Sequence, residues 1–581
     1  MTHSFDIVRD PWIRVKFNTG DIKEVGVREA IKESHNIVEV VEPNDKYSYG
    51  ILNLLTAFVA SVYDLSDIEA KADILFSNQF DITLFDKYIE DCEAKRSNCF
   101  NLFGENPFYQ NVYAKYNIKN GNKLTKEEIE KLPLKDAAMI GKVALDVPSG
   151  NNTTHFVNDI LIGKWLDFPE VTKALVSYTH FQAGQDGPNS ANGVNGGMNY
   201  PEYITFRGKN LFHIILLNTI TEETWHNELG DDIPYKGNAA WEMEAGLIPK
   251  EEVTSVSMVE GLTFQNRYVL LDSPNYEKKI GYVYFGPGRV FATNKDKSVK
   301  SLWRQPNAAY TPIYRKGKEV GFGPLMMKSA YDLWNDMGDF FSLTSSGNNN
   351  RLPKTVVEYR SLFEKYRGKM EGLGYSSKIL PYRVYYICVD GGQYPPKACG
   401  TYENYFPLIL MEHPNVLDDF NNLIKNASSV GKLLKSEVFK LSDSMDSIKK
   451  AEWYKRLAEQ YYNRMSMEFI PELLEEIYNI SDSEDFEEDF YDIYNAFKVK
   501  VKDLAIKTFT DYVLNGQSKV LEGYEVNGET FYKGFYGIVN SNILMPPIQE
   551  INYAESSKDF YRNSARKFGV LFLVYQHPDG C

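Results

Sequence analysis

The sequence has few cysteines and no long apolar run. Its 581 residues include five cysteines, and none of them forms a CxxC pair. The odd number, together with N-terminal residues that lack the basic-then-apolar order of a secretory signal, leads us to expect a protein of the reducing cytoplasm. The longest strongly apolar run, Leu211–Leu217, is far shorter than the ~20 residues that cross a bilayer, so we expect no membrane partner.

The chain is also short of positive charge. Its formal net charge is −15 and its pI is near 5.2, which argues against a stand-alone nucleic-acid binder. Two segments nevertheless carry a local excess of positive charge. Residues 289–318 hold eight basic residues and one acidic residue, and residues 351–383 hold eight basic and three acidic residues. A charge run is most often a solvated face, but two basic segments in an acidic chain favour a specific anionic partner.

The common catalytic motifs are missing. The sequence has no GxxxxGK[ST], GxSxG or HExxH pattern, and its eight histidines are scattered. We therefore expect no enzyme, no metal and no cofactor. Two alternatives stay open: a cytoplasmic aromatic-rich enzyme, for instance a carbohydrate-active one with a dispersed catalytic set, and an interaction scaffold.

One stretch stands out by what it does contain. Residues 182–209 hold six glycines, four asparagines and two prolines, so no regular helix or strand is expected before Tyr203. A loop of this length is usually functional or disordered, and a plain surface linker is the alternative. A second loop-like segment, 145–153, precedes it, and a helical pattern at about 168–182 separates the two.

The remaining pattern predicts an α+β chain in two domains. A strongly apolar helix is expected at 46–63, a hairpin at 202–217, a β-like run at 258–272, a second hairpin at 303–322, and a strand at 382–390 with a tight turn at 391–397. Long helical patterns at about 416–441, 444–478, 484–514 and 557–575 suggest a four-helix bundle. We predict a mixed α/β N-terminal domain, 1–410, and a C-terminal helical bundle, 411–581.

Several short motifs, in one order along most of the chain, resemble those of a known family. They are Asp10-Pro11-Trp12-Ile13-Arg14-Val15; Asn106-Pro107-Phe108-Tyr109-Gln110; Ile204-Thr205-Phe206-Arg207-Gly208 with Leu216-Leu217-Asn218; Gly261-Leu262 with Gln265; Leu302-Trp303 with Pro306; and Glu459, Tyr461-Tyr462, Arg464 and Ser466 followed by Ile470-Pro471. Together they resemble the large subunit of the type I-E CRISPR Cascade complex, the CasA family.

The resemblance implies a non-catalytic subunit at the foot of Cascade, beside the 5′ end of the crRNA. Such a subunit reads the protospacer-adjacent motif (PAM) in target double-stranded DNA, starts duplex unwinding and R-loop formation, and helps to recruit a nuclease. The implied partners are the crRNA-bound Cascade subunits, the target DNA, and a helicase-nuclease or a nuclease fused to another subunit. Base pairing then reads the sequence, while the protein reads only the short motif.

The resemblance also assigns residues to DNA contact. A first loop supplies Val147, Pro148, Ser149, Gly150, Asn151 and Asn152, and the glycine-rich loop 184–197 supplies Gly184, Gly187 and Asn189 to the minor groove. The basic residue that enters the minor groove is Arg289, Lys295 or Lys297. A wedge after Gly391-Gly392 is formed by Gln393 or Lys397. No metal site is implied, and the recognised motif stays open.

Overall fold

Helices and strands alternate along the first 400 residues, and helices dominate after them. The structure is a computed structural model. It describes residues 3–118, 124–144, 147, 164–181, 202–229, 232–249, 251–253, 255–291, 305–315, 317–327, 334–341, 352–390, 393–441, 456–457, 459–516, 524–526 and 529–531. The predicted α+β class is confirmed.

The elements of the described residues follow in chain order. The strands are β1 (Ile13–Phe17), β2 (Ile22–Val25), β3 (Ile37–Val40), β4 (Ala138–Met139), β5 (Tyr203–Phe206), β6 (Glu252–Val253), β7 (Arg267–Leu271), β8 (Tyr282–Pro287), β9 (Val290–Phe291), β10 (Tyr310–Arg315), β11 (Lys318–Pro324), β12 (Ile379–Asp390), β13 (Gln393–Pro407), β14 (Tyr524–Val526) and β15 (Glu529–Phe531). The helices are α1 (Val27–Lys32), α2 (Asp45–Val62), α3 (Ile68–Ser77), α4 (Ile82–Lys95), α5 (Lys126–Glu130), α6 (Phe168–Phe181), α7 (Leu211–Leu217), α8 (Glu222–Leu229), α9 (Met258–Leu262), α10 (Lys354–Gly372), α11 (Ile409–Glu412), α12 (Pro414–Leu441), α13 (Ile470–Asn479) and α14 (Phe486–Gly516).

The chain forms two compact units. The first draws on Met1–Ala330 and Asn348–Phe406, and the second on Tyr331–Gly347 and Pro407–Cys581. The predicted domains, 1–410 and 411–581, stay a prediction. The units differ from them by placing residues 331–347, of which 334–341 are described, with the helical part.

Helix α2 is the central helix of the first unit, as its apolar sequence predicts. Asn44 caps its N-terminus by accepting a hydrogen bond from the Lys46 N–H at 3.1 Å. The helix is buried over nearly its whole length and packs against α6, α7 and α9. At Gly50 the backbone of α6 comes so close that an added Cβ would lie 2.3 Å from Ser177 Oγ, so only glycine fits there.

The first unit also contains several small sheets, of which strands β3 and β12 contact α2. Strands β2, β1 and β3 form an antiparallel sheet in that order, and β4, β8 and β7 form another. The third has the order β13-β12-β5, with Tyr385 opposite Tyr203 in the antiparallel pairing of β12 with β5. Strands β10 and β11 form the predicted hairpin at 303–322, with Gly317 at its tip in a left-handed conformation at φ +78°.

Two local predictions are wrong for the same reason. Residues 211–217 form helix α7 rather than the second strand of a hairpin, and 258–262 form helix α9 rather than the start of a strand. In each case a capping side chain starts the helix: Asn210 accepts from the His213 N–H at 3.0 Å, and Ser257 accepts from the Glu260 N–H at 2.9 Å. The cap outweighs the strand preference of the apolar residues that follow it.

The described part of the second unit is helical except for the short hairpin β14–β15. Helix α12 packs against α14, and α13 follows a π-helical turn at Met465–Phe469. Pro471 has no N–H to donate to the preceding turn, which accounts for the irregular turn just before it. The predicted helix at 557–575 lies outside the described residues, so the four-helix bundle is not confirmed. No helix in the described ranges is both long and apolar enough to cross a membrane.

Candidate nucleic-acid interface

A cluster of buried aromatic and apolar side chains lies at the middle of the first unit. It consists of Tyr49, Phe181, Tyr203, Ala308, Tyr310, Tyr385 and Ile387, with Cys399 packed against it, and we call it the loop-stem cluster. Tyr49 of α2 is its centre. Its ring stacks on Tyr203 at a centroid distance of 4.3 Å and meets the Phe181 ring edge-on at 5.5 Å. Because its members come from five separate parts of the chain, the cluster holds those parts in one place.

The glycine- and asparagine-rich loop begins and ends at this cluster. Phe181 is the last residue of α6 and Tyr203 is the first residue of β5, and their rings lie 5.7 Å apart. The Tyr203 hydroxyl donates to the His180 carbonyl at 3.3 Å, which joins the two ends of the loop directly. Gly184, Gly187 and Asn189 lie outside the described residues, but the points where their loop leaves and rejoins the fold are fixed.

The basic segment also returns to the cluster. The described chain stops at Phe291 and resumes at Gln305, so Lys295 and Lys297 lie outside the described residues. Ala308 and Tyr310, just after this gap, belong to the cluster, and the Ile204 N–H of β5 donates to the Asn307 carbonyl at 2.8 Å. The end of the basic segment and the end of the glycine-rich loop are therefore hydrogen-bonded neighbours.

The hairpin that carries the candidate wedge is the third element at the cluster. Tyr385 and Ile387 lie on β12, and Cys399 lies on β13. The predicted turn at 391–397 is too long, because β12 ends at Asp390 and β13 starts at Gln393. Gly391 and Gly392 are the two residues between the strands and lie outside the described residues.

Ion pairs tie this hairpin to β5. Glu403 of β13 accepts from Arg383 Nε at 2.7 Å and from Arg207 Nη1 at 2.5 Å, and Arg383 Nη2 also reaches Glu39 at 3.1 Å. Arg207 directly follows β5. The hairpin and the strand after the glycine-rich loop are thus held together at the surface as well as in the core.

The first loop precedes α6 in the chain. Val147 is buried, and its N–H donates to the Ala144 carbonyl at 3.1 Å. Its side chain therefore anchors the start of the loop. Pro148, Ser149, Gly150, Asn151 and Asn152 lie outside the described residues. Helix α6 follows this loop and precedes the glycine-rich loop, so it connects the two.

Arg289 is held inside the first unit. Its guanidinium pairs with Glu260 at 2.5 Å and Glu251 at 3.2 Å, lies over the Phe264 ring, and is 12% exposed. Burial raises the pKa of Glu260, and the neighbouring Arg289 charge opposes that rise. These contacts leave Arg289 poorly available for a DNA groove.

Part of the positive charge of the second basic segment, 351–383, is paired within the fold. Arg360 pairs with Glu364, Lys365 with Glu69, and Arg383 with Glu39 and Glu403. The sequence could not show these pairs, since two of the three involve acids from distant parts of the chain. These pairs weaken the case that the local excess of positive charge in this segment serves an anionic partner.

His180 lies in the last turn of α6, just before the glycine-rich loop in the chain. It is 1% exposed, it is surrounded by the rings of Tyr49, Phe181 and Tyr203, and burial lowers its pKa to about 3. It is therefore neutral at physiological pH and belongs to the packing of the cluster. Sequence reasoning missed the cluster residues as a group, although the high tyrosine content was a signal for them.

No group of His, Cys, Asp and Glu side chains suited to hold a metal ion occurs within the described ranges, and the described cysteines are free thiols. The loop-stem cluster instead brings together the described ends of three segments: the glycine-rich loop, the basic segment and the β12–β13 hairpin. Glycine-rich backbone and lysines are what close approach to a phosphate backbone requires. The arrangement favours the binding of a phosphate backbone.

Comparison with known proteins defines the class first: the chain is a CRISPR-associated protein. The family model described as CRISPR-associated protein Cse1 matches residues 6–505, and the chain belongs to this family. The resemblance to the CasA family is thereby confirmed, since CasA and Cse1 name the same protein in a solved structure. None of the curated proteins compared matches the chain significantly.

Solved structures share the fold at low sequence identity. Thermus thermophilus CasA (Cse1) is 17% identical, with a TM-score of 0.60 over 89% of this chain and 96% of that one. Cse1 from Acidimicrobium ferrooxidans is 16% identical, with a TM-score of 0.63 over 94% and 97%. A chain of a CRISPR RNA-guided surveillance complex is 16% identical, with a TM-score of 0.55 over 89% and 97%.

Proposed function

We propose that this chain is the non-catalytic large subunit of a cytoplasmic type I-E Cascade complex, and that it recognises the PAM in target double-stranded DNA. Its partners are the crRNA-bound Cascade subunits, the target duplex and an effector nuclease that acts in trans or is fused to another subunit. The observation that carries the proposal is the loop-stem cluster. It gathers the ends of three segments that the family resemblance assigns to the motif.

Each segment has a distinct task in this proposal. The glycine-rich loop brings its backbone against the minor groove, where the base code is degenerate, so modest tolerance among motifs is expected. Lys295 or Lys297 of the basic segment supplies charge to the phosphates. The first loop, 147–153, docks near the crRNA 5′ end. Arg289 is placed last among the basic candidates, because it is already paired with Glu260 and Glu251.

The hairpin supplies the wedge, and the strand boundaries favour Gln393 over Lys397. Gln393 is the first residue of β13 and borders the turn. Lys397 lies four residues further along the strand, about 13 Å at ~3.3 Å per residue. A wedge must enter the stack to unstack a base step, so the residue beside the turn is better placed.

The proposal is tested by assembling Cascade with and without this chain on targets that carry a matched or a mutated adjacent motif. Electrophoretic binding should depend on the motif only when the chain is present. Equal motif-dependent binding without the chain would refute the proposal. No specific observation among the described residues favours the enzyme alternative, which needs a catalytic set.

A further inference from the structure

We propose that Gln305 is a positioning residue for motif recognition, acting at the junction where the basic segment and the glycine-rich loop meet. This inference rests on the proposed function and extends it to a residue that does not contact DNA. Gln305 lies within the basic segment 289–318, as the first described residue after positions 292–304, and it is 1% exposed. Its position allows it to fix the end of a segment that carries Lys295 and Lys297.

The carboxamide of Gln305 is bound to helix α2. Its Nε2 donates to the Tyr49 hydroxyl at 3.1 Å and to Asn53 Oδ1 at 3.2 Å. The Tyr49 hydroxyl donates in turn to Asn307 Oδ1 at 3.2 Å. Both donor positions of the carboxamide are used in this way, and the amide resists displacement because breaking either contact leaves a buried polar group without a partner.

The same short stretch holds the other loop. The Ile204 N–H donates to the Asn307 carbonyl at 2.8 Å, and Tyr203 forms a β-bridge with Ala308. The backbone of Gln305 is also fixed, since its N–H donates to the Tyr310 hydroxyl at 2.8 Å. Residues 305–308 therefore set the position of both segments relative to α2 and to each other.

A small cavity completes the junction. Its lining includes Tyr49, Asn53, Thr56, Asn218, Gln305 and Asn307, and it has room for about one water molecule. Gln305 Oε1 is buried and accepts no hydrogen bond from the described residues. The rest of the cavity lining is apolar, so the hydroxyl and carboxamide groups are the partners available to a water molecule there, which would donate to that oxygen and tie the amide to its neighbours.

The test compares Gln305→Met with Gln110→Met in the assembled complex. Gln110 is a matched control: it is 5% exposed in the same unit, and its amide bonds Leu102, Phe108 and Leu271, away from the loop-stem cluster. Both variants should lower Tm. The readout is the ratio of the affinities for targets with a matched and a mutated motif. This ratio should fall about fivefold for Gln305→Met, which is within the range by which residues that do not contact a ligand modulate coupling. For Gln110→Met it should stay within about twofold of the wild-type ratio.

Tyr49→Phe is a second variant that keeps the ring in the cluster and removes only the hydroxyl shared by Gln305 and Asn307. It should lower the same ratio by about twofold or more. If both junction variants keep the wild-type ratio, or if Gln110→Met loses as much, the inference is overturned. If the wild-type complex itself shows no motif dependence, the proposed function fails instead, so the two failures are distinguishable.

Discussion

At the scale of single residues, the motifs that carry the family resemblance hold the fold together. Gln110 joins the turn at 102–108 to β7, and the Asn218 side chain bonds both the N–H and the carbonyl of Phe206. Gly208 leaves no room for a Cβ, which would lie 2.7 Å from His213. The sequence identified these motifs but not their contacts, because each joins residues far apart in the chain or in different elements.

The residues that the resemblance assigns to DNA contact fall into two groups, those that the structure describes and those that it does not. Val147 and Arg289 lie in the described part and are buried or paired, whereas Lys295 and Lys297 belong to a segment known only by its ends. Sequence spacing gave the three basic candidates equal weight. The carboxylates that pair with Arg289 come from other parts of the chain, so only the fold could distinguish Arg289 from the two lysines.

The charge of Lys295 and Lys297 gives the first prediction. Replacing both by Ala should weaken target binding and reduce the slope of log K against log salt by about one to two, since each phosphate contact contributes about 0.9. The double variant Arg360→Ala with Lys365→Ala is a matched control, since it also removes two positive charges. Both of its residues are already paired with carboxylates, so the slope should not change. An unchanged slope in the first variant would exclude both lysines from phosphate contact.

His180 gives a prediction about pH. Its pKa is about 3 in the folded protein and near 6.5 when unfolded, so below pH 6.5 the unfolded state binds more protons. Stability should therefore fall as pH decreases from 7 to 5, by at most about 1.4 kcal/mol per pH unit for this group. Burial also lowers the pKa of His213, to about 4, and adds to the same trend.

The variant His180→Phe isolates the first contribution, since His213 stays in place. Calorimetric Tm at pH 7 and pH 5 should show a smaller loss for the variant than for the wild type. The difference between the two losses is the readout, so an offset in Tm at pH 7 does not matter. Equal losses would contradict the assignment of His180 as a buried neutral group.

At the scale of elements, the sequence predicted several long elements but missed helix α10 and strand β13, whose start it assigned to a turn. Helix α2, helix α6, strand β12 and the β10–β11 hairpin lie where their patterns placed them. Helices α7 and α9 were missed because they are short and apolar, so period alone favoured strands. Asn210 and Ser257 were the signals that could have identified them, as each is a good capping residue at the start of its run.

The contact between α2 and α6 gives a prediction on packing. Gly50→Ala would place a Cβ 2.3 Å from Ser177 Oγ and 2.8 Å from Ser177 Cα. It should destabilise the protein by about 1–3 kcal/mol and weaken motif-dependent binding, because α6 connects two of the loops. The measurements are Tm and target affinity in the assembled complex.

Gly368→Ala is the control for this packing. It replaces another helical glycine, in α10, but its added Cβ meets nothing within 4 Å. Since Ala is favoured over Gly inside a helix by about 1 kcal/mol, Tm should be unchanged or raised. A similar loss of stability in both variants would rule out the close approach of α2 and α6 as the cause.

The β12–β13 hairpin gives a prediction on strand opening. Gln393→Ala should slow duplex opening next to the motif by roughly tenfold, or about 1.4 kcal/mol of the few that unstacking needs. Lys397→Ala, four residues from the turn on β13, should change it much less. A fluorescent base analogue beside the motif measures the rate, and a larger effect at Lys397 would reverse the assignment.

At the scale of the whole molecule, segments that are far apart in sequence share a single anchor, the loop-stem cluster. The α+β class and the family followed from the order of elements and motifs. The anchor did not, because its members come from α2, α6, β5, β10 and β12 together with Ala308 and Cys399. Pairing between distant parts of a chain is set by packing, which a local pattern does not encode.

The central claim is that the three segments anchored at the loop-stem cluster contact the motif together. Photo-crosslinking residues placed at Asn189, Lys295 and Gln393 of the assembled complex test it directly, with Tyr276 as control, a side chain that is 93% exposed and is not a member of the cluster. We predict crosslinks from all three positions to the motif and the base pairs beside it, and their loss when the motif is mutated. Crosslinks that are absent, or that are unchanged on a mutated motif, would contradict the account.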